Sequence, residues 1–168
     1  MKQLDHYSTL FSKRTFPITV ICENVTNAPN VGSLFRTSDA FGVEKLIFCG
    51  EHIPLGRKMT KTSRATEKSV SYKISDAIIE EVTELKTKGY QIIALEITDS
   101  SKAIHTYQFL KKQPVALVIG DENFGVSEAV LRLCDDTIHI EMFGQNSSMN
   151  VVQATSIALY EISKQFFD

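Results

Sequence analysis

The chain has 168 residues, 43% of them hydrophobic, and a formal net charge of −2. That length predicts one domain with a sizeable core and leaves no room for a second folded module, only a short extension over residues 1–17. The charge excludes a protein whose whole surface grips nucleic acid, although a local basic patch remains open.

In chain order, residues 1–17 could form one helix, with Asp5 as its N-cap. They lack a basic stretch followed by an apolar run, and nowhere do about 18 apolar residues follow one another, so a soluble, cytoplasmic protein is expected. A single domain is expected over 18–168. Strand-like apolar runs occupy 18–23, 45–49, 70–73, 91–96, 115–119 and 137–140. Helical patterns lie between them: 31–41 ended by Gly42, 76–88 between Ser75 and Gly89, 128–134 behind Ser127, and 150–167. Several runs hold continuously apolar stretches, 46–49, 92–95 and 115–119, as strands covered on both faces do. The alternation predicts an α/β fold with a mostly parallel sheet and helices on both faces.

Cys22, Cys49 and Cys134 are odd in number, far apart and each set in apolar sequence, which predicts buried reduced thiols. The four histidines are scattered, and no Cys-x-x-Cys pair occurs, so no metal is expected. Between Arg57 and Lys68 the bases Arg57, Lys58, Lys61, Arg64 and Lys68 face a single acid, Glu67. That stretch reads either as a solvated loop or as a phosphate-contacting segment.

Three polar blocks stand where strands give way to helices. The first runs from Asn27 to Arg36. With Asn30 as N-cap, Val31, Leu34, Phe35, Ser38 and Phe41 share one helix face, and Gly32, Ser33 and Arg36 share another, directed away from the core. A helix N-terminus and a guanidinium would then suit an anion such as a nucleic-acid phosphate. The second block, Gly120 to Gly125, leaves the run 115–119 with Glu122 at its tip, and its glycines permit tight turns. The third, Gly144 to Asn150, sets small and amide side chains before the last helix, which Ser148 or Asn150 could cap. Each block alone also reads as an ordinary cap or loop. Gly-x-Gly and Gly-x-Ser-x-Gly are both absent, which excludes the dinucleotide fingerprint and the nucleophile elbow.

Together and in this order, the blocks resemble the SpoU (TrmH-like) branch of the SPOUT RNA methyltransferases. The resemblance rests on Asn30-x-Gly32-x-x-x-Arg36 with Phe41-Gly42, on Gly120-x-Glu122-x-x-Gly125, and on Ile140-x-Met142-x-Gly144 through Ser148-Met149-Asn150-Val151 to Tyr160-Glu161. It implies transfer of a methyl group from S-adenosylmethionine to a ribose 2′-hydroxyl of RNA, tRNA before rRNA. It also implies a deep trefoil knot in the C-terminal part and a homodimer whose active sites are each completed by the partner chain. The cofactor is expected at Leu95, Glu96, Ile119, Gly120, Ile140, Ser148 and Met149. Catalytic roles fall on Arg36, Asn30, Glu122, Ser148 and Asn150, and RNA contacts on Arg36, Arg57, Lys61 and Arg64. The family proposes the matching arginine as a base, but a guanidinium stays protonated in proteins, so a phosphate-holding and charge-stabilising role is expected instead. Two positions depart from the family pattern: Glu141 stands where proline is common, and Met149 where leucine is. An RNA-binding protein without methyl transfer and a base methyltransferase are the alternatives. A flavodoxin-like domain would account for the sheet, yet leaves Arg36, Glu122 and Asn150 without a shared purpose.

Overall fold

The computed structural model describes residues 3, 4, 8, 9 and 11–167. Seven strands form one sheet: β1 (Phe16–Glu23), β2 (Val43–Cys49), β3 (Ser71–Ser75), β4 (Gln91–Leu95), β5 (Lys102–Ala103), β6 (Val115–Ile119) and β7 (Asp136–His139). Their order is β3-β2-β1-β6-β4-β7-β5, and every pair is parallel. Five helices accompany them: α1 (Ala28–Ala40), α2 (Arg57–Ser63), α3 (Ile78–Thr87), α4 (Glu128–Leu131) and α5 (Val151–Phe167).

The period-2 geometry of strands explains why the central runs are apolar at most positions. In β1, Val20 and Cys22 pack on one side with Leu34 and Phe35 of α1 and Leu159 of α5. Ile21 points the other way, into a second core with Val82 of α3 and Val130 of α4. β6 repeats the split, Leu117 and Ile119 on one side and Ala116 and Val118 on the other. The helices therefore cover both faces, as the alternation predicts.

Several local expectations need correction. β1 starts at Phe16, so the domain begins before residue 18, and residues 11–15 carry no helix; the Asp5 cap lies outside the described residues. The basic stretch is not a loop, since α2 covers Arg57–Ser63 and a 3-10 turn follows at Thr66–Lys68. Its only buried residues are Met59 and Ser63, so no apolar period marks it. β5 has no counterpart in the sequence pattern because two residues leave no alternation to read. Gly89 ends α3 in the left-handed region, φ 84°, where a side chain would be strained.

Cys22, Cys49 and Cys134 are free thiols. Cys22 and Cys49 are buried as expected, whereas Cys134 is half-buried; burial pushes Cys49 and Cys134 up to about 12 and Cys22 also upward, which favours the protonated thiol.

Candidate active site and nucleic-acid surface

Because every strand is parallel, the chain leaves β4, β6 and β7 at one edge of the sheet, where open α/β folds bind ligands. The segments leaving them enclose a cavity of about 390 Å³, within the size range of small-molecule sites. Leu95, Glu96, Ile119, Gly120, Ile140, Ser148 and Met149, the seven residues expected to hold a cofactor, all line it. Met142 of the third motif lines it too, as do His139 and Phe124, which no sequence signal singles out individually.

The wall formed by the second block is tightly constrained. A Cβ on Gly120 would lie 2.0 Å from the Gly125 carbonyl carbon, so only glycine permits this approach. Gly125 has φ 66°, and its N–H donates to the Asp121 carbonyl at 2.8 Å. Asp121 Oδ1 accepts from the N–H groups of Asn123 and Phe124, at 2.7 and 3.1 Å. Two carboxylates hold the exit of the loop: Glu96 Oε2 accepts from Val126 N–H and the buried Glu23 from Ser127 N–H, each at 2.9 Å. Sequence reading misses Glu23 because it closes an apolar strand. Asp121 is more legible, since an aspartate ahead of a glycine-bounded turn commonly caps its own backbone.

All three blocks meet at the Glu122 carboxylate, which borders the cavity. Glu122 Oε1 accepts from Asn30 Nδ2 and, at 3.2 Å, from Asn150 Nδ2. Asn150 Nδ2 also reaches Asn30 Oδ1 at 3.3 Å, while its own Oδ1 accepts from Val152 N–H at 2.9 Å and caps α5. Asn30 is not the cap of α1. Asn27 is, accepting from Asn30 N–H at 3.2 Å, and Pro29 sits in the first turn, where a missing N–H costs nothing. Asn30 thereby keeps its amide for Glu122.

Arg36 lies elsewhere. With Ser33, Thr37, Lys61, Thr62 and Arg64 it lines a shallow cleft between α1 and α2 whose lining contains no acid among the described residues. Gly32 makes that cleft possible. It is buried, not exposed as the helical face suggested, because a Cβ there would lie 2.0 Å from Thr62 Oγ1 and 2.2 Å from the Met59 carbonyl. Thr62 Oγ1 also reaches the Pro29 carbonyl at 3.1 Å, fastening α2 to α1. Arg64 ends α2 in a left-handed conformation, φ 51°, and Ala65 follows at 70°. Arg57 is exposed at the start of α2, outside the cleft lining. The structure thus places Glu122 and Ser148 in the cavity lining, with Asn30 and Asn150 hydrogen-bonded to Glu122, and Arg36, Lys61 and Arg64 at a separate basic surface. Glu141 belongs to neither, since its carboxylate faces His105 Nδ1 at 3.5 Å while Ile140 and Met142 on either side line the cavity.

Residues 17–160 match the SpoU rRNA methylase family. The chain belongs to that family. Among relatives of this SpoU protein is the tRNA (guanosine(18)-2′-O)-methyltransferase of Aquifex aeolicus, 30% identical over 98% of this chain and 77% of the relative. The crystal structure of the A. aeolicus TrmH/SpoU tRNA modifying enzyme superposes with a TM-score of 0.82 at 31% identity, covering 91% of this chain and 77% of that one. A second SpoU methyltransferase, AviRb from Streptomyces viridochromogenes in complex with AdoMet, gives 0.78 at 25% identity, over 100% of this chain and 64% of that one. The cavity fits such a cofactor: Leu95, Ile119, Ile140 and Met149 supply apolar walls, and the Gly120 cradle lets backbone approach a ligand closely. No helix among the described residues is long and apolar enough to cross a membrane, and no group of three His, Cys, Asp or Glu among them is placed to hold a metal ion.

Proposed function

We propose that this S-adenosylmethionine-dependent RNA 2′-O-ribose methyltransferase acts on tRNA in the cytoplasm, as a homodimer. The observation that carries this reading is the meeting of Asn30, Glu122 and Asn150 at the rim of a cavity lined by the segments after β4, β6 and β7. Support for tRNA comes from the A. aeolicus relative, which matches nearly the whole chain.

The cofactor supplies a methyl group already activated on a sulfonium. Leu95, Ile119, Gly120, Ile140, Ser148 and Met149 would hold it, and the remaining task of the protein is alignment and help with removal of the hydroxyl proton. Glu122 receives two amide donors, which fix the tip of the second block against α1 and the start of α5. Arg36 binds a phosphate beside the target ribose and stabilises developing alkoxide charge. It stands six residues, about 9 Å of helix rise, beyond Asn30 and is absent from the cavity lining. A site needing both is completed by Arg36 of a second copy, which is the reason for the dimer. The knot implied by the family is part of this reading, formed by the segments that follow β6 and β7.

Incubation of purified protein with labelled cofactor and a panel of tRNAs and rRNAs tests the reading. Alkali-resistant methylated dinucleotides from tRNA are expected. A methylated base instead of a ribose would move the activity to another class, and RNA binding without any transfer would leave only an RNA-binding protein. In the basic cleft, Lys61→Ala with Arg64→Ala is expected to reduce the slope of log affinity for tRNA against log salt by about 2, one unit for each phosphate no longer neutralised. Filter binding across a salt series measures this, and an unchanged slope removes both residues from the interface.

A further inference from the structure

Two aromatic rings are almost fully exposed in the single chain, Phe124 in the cavity lining and Phe143 one residue after the lining Met142. Phe124 is 91% exposed and Phe143 95%, unlike the phenylalanines of the core. Phe124 lines the cavity directly, and Phe143 follows Met142, which lines it from the segment leading to α5. The exposure of Phe124 does not come from a slack loop. Asp121 Oδ1 holds the N–H groups of Asn123 and Phe124, Gly125 closes the turn, and Glu96 fixes Val126 behind it. A braced turn therefore presents a large apolar ring to solvent at the opening where a ribose must arrive. A rigidly presented aromatic face at the mouth of a site is available for stacking with an incoming ring.

We infer that Phe124, seconded by Phe143, is the platform on which the base of the target nucleotide stacks. The inference rests on the methyl-transfer reading, because a ribose brought to the cavity carries its base one glycosidic bond away. Proteins that recognise unstacked RNA bases stack them on aromatic side chains. A flat ring recognises the π face of a base, not its edge, so the platform accepts any unstacked nucleotide and leaves identity to the surrounding RNA. Phe124 is thus a substrate-positioning residue, distinct from the groups around Glu122.

The test compares wild type, Phe124→Ala, Phe124→Trp and Phe143→Ala with unfractionated tRNA. Phe124→Ala should raise KM for tRNA and weaken tRNA binding by about tenfold to a hundredfold, the usual effect of removing one aromatic stack. kcat at saturating tRNA should change far less, Phe124→Trp should restore affinity, and Phe143→Ala should show a smaller loss of the same kind. Cofactor affinity by calorimetry and mass by light scattering should match wild type. Unchanged tRNA affinity in Phe124→Ala overturns the platform while the methyl-transfer reading stands. Lost cofactor affinity would make the ring part of the cofactor site, and dissociation to monomers would make it an interface between copies; either overturns the inference. Wild-type tRNA binding without methyl transfer defeats the functional reading alone, and the variants' binding still decides the platform.

Discussion

Arg36→Ala is expected to lower methyl transfer at least a hundredfold to a thousandfold while cofactor affinity stays at the wild-type value. Removing one preorganised donor from a developing oxyanion typically has that effect, and in the proposed role the same guanidinium would also hold the substrate phosphate. The side chain is exposed on α1 and nothing in the cavity lining depends on it, so neither the fold nor the cofactor site should suffer. Single-turnover kinetics with labelled cofactor, alongside calorimetry, separates the two quantities. A variant that loses cofactor binding as well would contradict the assigned role. Arg36→Lys should recover only part of the rate, a point charge replacing a bidentate fork.

The second large effect is expected at Gly120. A Cβ there would stand 2.0 Å from the Gly125 carbonyl carbon, 2.2 Å from its oxygen and 2.3 Å from Val126 N. All three are backbone atoms, so Gly120→Ala must displace the loop instead of rotating a side chain. Overpacking of this kind costs about 1–3 kcal/mol, which corresponds to a fall of several degrees in Tm for a domain of this size. Cofactor affinity should fall more than tenfold, because the displaced loop carries Glu122 and forms one cavity wall. Thermal unfolding with and without cofactor measures both, and a variant with wild-type affinity would show that the loop is not part of the cofactor site.

The two variants together test the dimer. Each is expected to be impaired alone when cofactor is kept below the weakened affinity of Gly120→Ala, one variant lacking the arginine and the other an intact cavity wall. If Arg36 serves the partner's cavity, mixing them lets subunits exchange into heterodimers with one complete site of two, recovering about a quarter of wild-type activity under free exchange of a two-fold dimer. If Arg36 acts within its own chain, no mixed site is complete and the mixture stays impaired.

Much of the molecule is legible in the residues themselves. The runs at 18–23, 91–96 and 115–119 contain buried strands, because a strand covered on both faces is apolar at most positions, its few polar members here, Thr19, Glu23 and Gln91, being buried too. Elements with little buried surface escape: α2 hides two residues and β5 has only two, so neither carries a period. The cap of α1 lies three residues before the expected Asn30, since Asn27 and Asn30 are the same residue type and only the hydrogen bond to Asn30 N–H distinguishes them.

The sequence by itself determined the α/β class and the three blocks, because periodicity and local turn chemistry act between residues a few positions apart. Tertiary structure alone decided how they combine. Glu122 meets Asn30 across 92 positions and Asn150 across 28, a convergence set by strand order, which no local pattern encodes. The same packing put Gly32 under α2 and set Arg36 apart from the cavity, because close helix approach depends on what crosses a residue in space and not on what surrounds it in the chain.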